Sequence, residues 1–137
     1  MIREIVRDQL FLSQPSAPAQ REDIPIAMDL LDTLEAHADH CVGLAANMIG
    51  CSKNIIAIQA GPIRIAMLNP VILKHSAKSY TTEEGCLSLP GERTTARYPS
   101  IEVRYQDLKL HRQRQKFSGF TAQIIQHEID HCQGILI

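Results

Sequence analysis

Aromatic side chains are scarce in this sequence, which has no Trp and only 4% aromatic residues among 137. Stacking platforms for single-stranded nucleic acid are therefore not expected. The 14 basic and 15 acidic side chains leave a net charge of −1, without the basic excess that attracts nucleic acid or anionic membranes. No apolar run approaches the roughly 20 residues that span a bilayer, and no signal-peptide core is visible near the start. These absences predict a cytoplasmic protein that binds neither nucleic acid nor membrane directly.

The length of the chain and its cysteine content indicate a single domain whose cysteines are reduced. A chain of 137 residues is long enough to bury a core of its own, and it shows no repeat or charge block. We therefore expect residues 1–137 to form a single domain. Because no secretion signal is visible, the four cysteines should remain thiols. Such thiols either pack as small apolar side chains or bind metal.

Hydrophobic periodicity predicts a helix, several short strands and a second helix. Apolar residues recur at helical spacing over residues 25–38 and predict the first helix. The pairs Gly61-Pro62 and Asn69-Pro70 predict turns between strands. The expected strands cover residues 54–59, 63–68, 71–75, 101–105 and 114–117. This order predicts an α+β fold with a largely antiparallel sheet packed against the helices.

The closing helix should begin after Ser118, a good N-cap, and end at Gly134, a good C′ residue. It contains an HExxH motif made of His127, Glu128 and His131. Two His four residues apart project from one helix face, so both imidazoles can reach a single metal ion. The Glu beside them is placed to move a proton of a metal-activated water. The alternative is an exposed helix face carrying two solvated histidines.

Two imidazoles do not complete a metal site, and the third ligand must lie elsewhere. The metzincin pattern would place a third His at Ile137, so a zincin or metzincin protease of the usual layout is not expected. Cys132 follows His131 directly, about 100° around the helix, and cannot easily share the same ion. Upstream, Cys86 lies in a segment bounded by Gly and Pro. A thiolate with two imidazoles suits Zn²⁺ or Fe²⁺.

Three segments taken together resemble the peptide deformylases. They are G-L-A-A from residue 43, E-G-C-L-S-L-P over residues 84–90, and Q-H-E-I-D-H over residues 126–131. Taken alone, the first segment is typical of a tight connection between a helix and a strand. The order and spacing match over nearly the whole chain. The resemblance implies an α+β fold whose sheet wraps around the helix that bears the two His.

The resemblance also implies a function and roles for particular residues. Family members remove the formyl group from N-formylmethionine at the start of new proteins. The implied ligands of one divalent ion are Cys86, His127 and His131, with Fe²⁺ the usual native ion and Zn²⁺ or Ni²⁺ able to substitute. Glu128 is implied as general base and then acid, and Leu87 as the backbone N–H donor to the developing oxyanion. The implied partners are formyl-Met peptides and, transiently, the ribosome.

One position departs from the family pattern. The family reads G-x-G-L-A-A-x-Q, whereas this chain has Cys41 at the first Gly and Met48 at the Gln. That Gln normally donates its amide to the formyl oxygen, and a thioether has no hydrogen to donate. Losing one oxyanion donor typically lowers kcat by about 10²–10³-fold. Asn47 is a neighbouring amide that offers an alternative donor.

The methionine side chain of the substrate needs an apolar pocket near the metal. Our candidates for the substrate pocket are Val42, Gly43, Leu44, Met48, Gly85, Phe120 and Ile124. Ordinary core packing is an equally good explanation for the apolar members of this set. Two other functions stay open: a metal-dependent hydrolase of a different N-acyl substrate, and a deformylase-like protein without catalytic activity.

Overall fold

The computed structural model describes residues 1–137 as a mixture of helices and strands. None of its helices combines the length and apolarity that a membrane span requires. The observed order of a helix, several strands and a closing helix confirms the α+β prediction. The elements are α1 (Gln9–Leu12), α2 (Ile24–Ala36), β1 (Gly43–Ala45), β2 (Ile55–Ala60), β3 (Ile63–His75), β4 (Tyr80–Gly85), β5 (Glu92–Arg97), β6 (Ser100–Gln106), β7 (Arg112–Ser118) and α3 (Gly119–Cys132), with short 3₁₀ turns at Arg21–Asp23 and Ala46–Ile49.

Helix α2 forms where the sequence supplies a proline near its start and an apolar stripe along its length. Pro25 lies in the first turn, where the missing N–H has no intrahelical partner to lose. Ala27, Leu30 and Leu34 fall on one face and are buried. The predicted helix over residues 25–38 is confirmed, although it ends two residues earlier.

Five strands form one antiparallel sheet in the order β1-β2-β3-β6-β7. The first four residues of β2, Ile55 to Ile58, are all buried. Because successive side chains point to opposite faces of a strand, both faces of β2 must be covered. Helices α2 and α3 both pack against it. The sheet therefore holds α3 against its best-buried strand.

The predicted turn at Asn69-Pro70 is wrong. Strand β3 continues through it from Ile63 to His75, with a shift in its pairing to β6 between Leu68 and Val71. Asn69 adopts a positive φ of 53° there. Its side chain bonds the backbone of Ala19 in both directions, which holds the irregular backbone in place. The two expected strands are thus one strand with a bulge. The turn at Gly61 is present, with a φ of 59°.

The hairpin of β4 and β5 was not expected from the sequence. Its strands pair Tyr80 with Arg97 at one end and Gly85 with Glu92 at the other. Both strands are rich in charged and Thr residues, so they carry little of the apolar alternation that identifies a strand. Their buried side chains are Glu84 and Arg97, which are charged. This hairpin forms a separate two-stranded sheet, and Cys86 follows β4 directly, at the start of the loop that connects the two strands.

The closing helix α3 begins after Ser118, as predicted, although the Ser side chain makes no capping hydrogen bond. It ends at Cys132, and Gly134 follows with a φ of 80°. A Cβ at Gly134 would lie 2.4 Å from the Ser13 carbonyl oxygen, so only Gly fits this close approach. Most of α3 from Ala122 onward is buried, which places the HExxH motif inside the protein.

Candidate active site

Three potential metal ligands converge between the hairpin and α3. Cys86, His127 and His131 bring their ligand atoms within 4.8 Å of one another. The two histidines lie one turn apart on α3, and their Nε2 atoms are 3.0 Å apart. Both imidazoles are buried, with exposures of 6% and 0%. The alternative of an exposed helix face with two solvated histidines is therefore wrong.

The other cysteines do not join this cluster. Cys132 is buried, with its Sγ 4.0 Å from the carbonyl oxygen of Ile55. Cys41 donates to the Gly43 carbonyl oxygen at 2.9 Å. Burial raises the pKa of each of these two thiols to about 12, so both remain protonated at neutral pH.

His127 is oriented by a buried network of charges that the sequence alone did not indicate. Its Nδ1 lies 2.7 Å from Glu84 Oε1. Arg97 donates to the same carboxylate through Nη2 at 2.8 Å and Nε at 3.1 Å. Arg97 Nη1 also donates to Asp130 Oδ2 at 2.7 Å. Because the buried Arg97 guanidinium is hydrogen-bonded to two carboxylates, it favours one arrangement of Glu84 and Asp130.

Burial and hydrogen bonding shift the pKa values of Glu84, His127 and His131 in different directions. Burial raises the pKa of Glu84, but hydrogen bonds from His127 and Arg97 outweigh it and hold the pKa at about 2. Burial lowers the pKa of His127, yet its hydrogen bonds to Cys86 and Glu84 raise it to about 10. Burial and the positive charge of His127 lower the pKa of His131 to about 3. The same buried environment thus shifts the pKa values of the two imidazoles in opposite directions.

The donor set fits a divalent metal ion. A carboxylate at His127 Nδ1 directs the other ring nitrogen toward a metal, as carboxylate–histidine–metal arrangements do. That nitrogen lies 3.0 Å from His131 Nε2. A sulfur and two nitrogens are ligands that zinc and ferrous iron accept. Cys86, His127 and His131 would hold such an ion.

Glu128 lies next to the ligands but keeps one carboxylate oxygen free. Its exposure is 4%, and its buried Oε1 has no hydrogen-bond partner. Burial raises its pKa to about 7, with the charge of His127 opposing the rise. A Cβ on Gly43 would lie 2.7 Å from Ile124 Cγ2 and 2.9 Å from Glu128 Oε2. The chain therefore needs Gly at position 43 for this carboxylate to fit.

A cavity of about 410 Å³ opens beside these groups. Five of the seven predicted pocket residues line it, and two do not: Leu44 and Met48 are fully buried in the core. The lining also contains residues that we did not predict, among them His40, Cys41, Glu83, Glu84 and Gln123. Helical spacing was a usable signal for Gln123, which precedes His127 by four residues. The predicted members that line the cavity are Val42, Gly43, Gly85, Phe120 and Ile124.

Leu87 lines this cavity, and its backbone N–H makes no hydrogen bond within the protein. Its carbonyl oxygen accepts from Arg7 Nη1 at 2.8 Å, which ties the loop to the N-terminal segment. A backbone donor without an internal acceptor is available to an oxygen of a bound molecule.

The first motif contributes no side-chain donor to the cavity. Met48 Sδ accepts from the Ala45 N–H at 3.5 Å within the 3₁₀ turn. Asn47 Nδ2 donates to the carbonyl oxygen of His131 at 2.9 Å, so its amide is engaged inside the core. Neither side chain lines the cavity.

Two adjacent buried imidazoles and a thiol that could hold a metal ion lie beside a cavity with a buried carboxylate that has one unpaired oxygen, and this combination is typical of a metal-dependent hydrolase site. Comparisons with known proteins agree with this class. A sequence model of the polypeptide deformylase family matches residues 2–137. The chain is 55% identical over its full length to a peptide deformylase of Clostridium beijerinckii, and the match also covers that whole protein. A match at 34% identity, to a peptide deformylase of Cytophaga hutchinsonii, covers 82% of this chain and 65% of that protein.

Solved structures show the same fold. The crystal structure of peptide deformylase from Thermotoga maritima matches with a TM-score of 0.88 at 28% identity, covering 99% of this chain and 94% of that one. A class I type b peptide deformylase from Acinetobacter baumannii with bound Met-Ala-Ser matches with a TM-score of 0.89 at 28% identity, covering 99% and 97%. The chain belongs to the polypeptide deformylase family.

Proposed function

We propose that this protein is a metal-dependent peptide deformylase that hydrolyses the N-formyl group of N-formylmethionyl peptides. The observation that carries the proposal is the convergence of Cys86, His127 and His131 beside the free carboxylate of Glu128, in a chain of this family. Water adds to the formyl carbon, the bond from that carbon to nitrogen breaks, and the products are formate and a free amino terminus.

The protein's own groups move the proton and hold the negative charge. A divalent ion held by the three ligands supplies Lewis-acid polarisation and makes water more acidic. Glu128 accepts a proton from the attacking water and delivers it to the departing amine. Burial raises the pKa of Glu128 above its ordinary value, which favours a group that first accepts and then delivers a proton. The Leu87 N–H donates to the formyl oxygen as it becomes negative.

The cavity has an apolar part that can hold an apolar side chain. Val42, Phe120 and Ile124 line it, and Val42 and Phe120 are exposed at 40% and 63%. Such exposed apolar area is favourable to cover with a methionine side chain. The Acinetobacter baumannii deformylase was crystallised with Met-Ala-Ser, a peptide that begins with methionine. We infer that the methionine of a formyl-Met peptide occupies this cavity.

The proposal extends to the native ion and the location in the cell. We propose Fe²⁺ as the native ion, because thiolate and imidazole ligands accept it, with Zn²⁺ or Ni²⁺ as substitutes. We further propose that the protein acts in the cytoplasm, where it would meet formylated nascent chains and contact the ribosome transiently.

An anaerobic formate-release assay on the iron-loaded protein tests the function. A formyl-Met peptide and its acetyl-Met counterpart serve as paired substrates, with Glu128→Gln as the inactive control. We expect formate from the first peptide only. A parent that cleaves the acetyl peptide better, measured by release of the free amine, would show that the site serves another N-acyl group. A parent that binds metal and cleaves neither would contradict the enzymatic proposal.

A further inference from the structure

The side chain of Gln123 lies between the cavity and the carboxylate that orients His127. It lines the cavity, and its Nε2 donates to Glu84 Oε2 at 2.8 Å. The Tyr80 hydroxyl donates to its Oε1 at 3.1 Å. Both ends of the amide are therefore engaged, and the reaction proposed above uses neither end.

Gln123 and His127 reach the same carboxylate from one face of α3. They are four residues apart, so their side chains are neighbours one turn apart on the helix. His127 Nδ1 contacts Glu84 Oε1, and Gln123 Nε2 contacts Oε2. Two contacts from one helix, one to each oxygen, fix both the position and the rotation of the carboxylate relative to that helix. Arg97, on β5, holds the same carboxylate relative to the hairpin.

Tyr80 supports the orientation in which the NH₂ end of the Gln123 amide faces Glu84. Tyr80 and Glu84 lie four positions apart on β4 and therefore share one face of the strand. An ionised carboxylate only accepts hydrogen bonds, so the NH₂ end of Gln123 must face Glu84. The Tyr80 hydroxyl then has the amide oxygen as its acceptor. The hydroxyl thus stabilises the orientation in which the amide supports the carboxylate.

We propose that Gln123 is a positioning residue of the metal centre, acting through Glu84 on the ligand His127, with Tyr80 orienting its amide. This inference rests on the metal site of the proposed function, although not on the reaction itself. Loss of a group that directly contacts a metal-ligating His typically changes metal affinity or activity by about 10–100-fold. Gln123 is one contact further away, so we expect about a threefold to tenfold effect.

The test measures metal release, which requires no turnover. Gln123→Met keeps the side-chain length and the cavity wall but removes the amide, and Tyr80→Phe removes only the hydroxyl. Each variant is loaded with Co²⁺, its absorption spectrum is recorded, and release into excess chelator is followed. We expect Gln123→Met to release Co²⁺ about three to ten times faster, with shifted absorption bands. Tyr80→Phe should also release Co²⁺ faster and shift the absorption bands, with a smaller effect on both.

The sheet offers a matched control of the same chemistry. Tyr105 donates to Gln115 Oε1 at 3.0 Å, a Tyr–Gln pair on β6 and β7 that does not line the cavity. Gln115→Met and Tyr105→Phe should leave the Co²⁺ spectrum and its release rate unchanged. Equal acceleration in these controls would make the effect a general loss of stability and would overturn the proposal.

The remaining outcomes test the positioning role of Gln123 independently of the enzymatic function. Parent-like release and a superimposable spectrum in Gln123→Met would overturn the positioning role. If Gln123→Met does not fold, the Tyr80→Phe variant decides the test. Co²⁺ release at the parent's rate in Tyr80→Phe would overturn the positioning role, and faster release would support it. A parent that holds Co²⁺ but whose iron form releases no formate would contradict the deformylase proposal alone, since the release rates still decide the role of Gln123.

Discussion

The cavity has two walls, and the buried polar side chains Glu84 and Asn47, one on each side, are paired very differently. One wall, which we call the hairpin wall, is the β4–β5 hairpin, whose loop holds residues 86–87. The other, the first-motif wall, is formed by residues 41–43, which line the cavity, together with the buried residues 44–49, which do not. On the hairpin wall the Glu84 carboxylate contacts three side chains, from Arg97, Gln123 and His127. On the first-motif wall the buried Oδ1 of Asn47 has no partner, and Met48 offers only a thioether.

The difference follows from what each wall has to do. A metal ligand must be held in one orientation, and buried ion pairs with complete hydrogen bonding achieve this. The first-motif wall provides space instead, since Gly43 permits the close approach of Glu128. Charged groups on one wall thus orient the candidate ligand His127, and in the proposed reaction the oxyanion has no side-chain donor from the other wall.

Loss of a ligand from the hairpin wall should have the largest effect. We predict that Cys86→Ala retains only a small fraction of the one ion per chain bound by the parent, because two imidazoles alone make a weak site. Turnover should disappear with the ion. Metal analysis after gel filtration provides the measurement, with Cys132→Ala as a control that keeps its metal. Stoichiometric metal in Cys86→Ala would show that the third ligand lies elsewhere.

Glu128 should separate metal binding from turnover. Glu128→Gln is expected to keep its ion and lose about 10²–10⁴-fold in kcat, because the amide cannot accept the proton of water. Measured metal content and formate release together check this. A variant with parent-like kcat would exclude Glu128 as the base.

The same carboxylate predicts the acid side of the pH profile. Burial raises the pKa of Glu128 to about 7 in the metal-free protein, and a bound cation lowers it. The base must be ionised, so kcat/KM should fall as the pH decreases through a value at or below about 7. A profile that stays flat down to pH 4.5 would contradict this assignment.

A hydrogen-bond donor introduced on the first-motif wall should raise the rate of turnover. Met48→Gln introduces an amide of similar length, and we predict that kcat for a formyl-Met peptide rises about tenfold to 10³-fold with a smaller change in KM. Met48→Leu, which adds no donor, is the control and should stay near the parent. The gain should vanish in a Met48→Gln, Glu128→Ala double variant. No gain from Gln would indicate that the buried position 48 does not reach the formyl oxygen.

The smallest effect concerns stability rather than rate. Hydrogen bonds to His127 and Arg97 outweigh burial and hold the pKa of Glu84 at about 2, below its ordinary 4.5. The unfolded chain therefore binds more protons between these values, and the stabilisation by Glu84 is complete above pH 4.5 and lost toward pH 2. It corresponds to about 3 kcal/mol. Urea unfolding of metal-free parent and Glu84→Gln should show a gap of this size near pH 6 that closes toward pH 2. A gap independent of pH would contradict it.

Much of the fold could be predicted from local pattern. The stripe of Ala27, Leu30 and Leu34 identified α2 because burying one helix face requires apolar residues at that spacing. The hairpin escaped prediction because its buried side chains, Glu84 and Arg97, are charged. They are buried only as partners of each other, and neither strand shows this when considered alone. The bulge at Asn69 escaped for a similar reason, since its positive φ is supported by Ala19, fifty residues away.

The sequence by itself determined which groups are available for chemistry. HExxH spacing places two imidazoles and a carboxylate on one turn of helix, and this depends only on helix geometry. Only the tertiary structure decided how those groups behave. It brought Cys86 to them, raised the pKa of Glu128 by burial, and connected His127 to Glu84 and Gln123. Distances and burial between segments far apart in the chain set these properties, and they arise only when the sheet and the helix pack together.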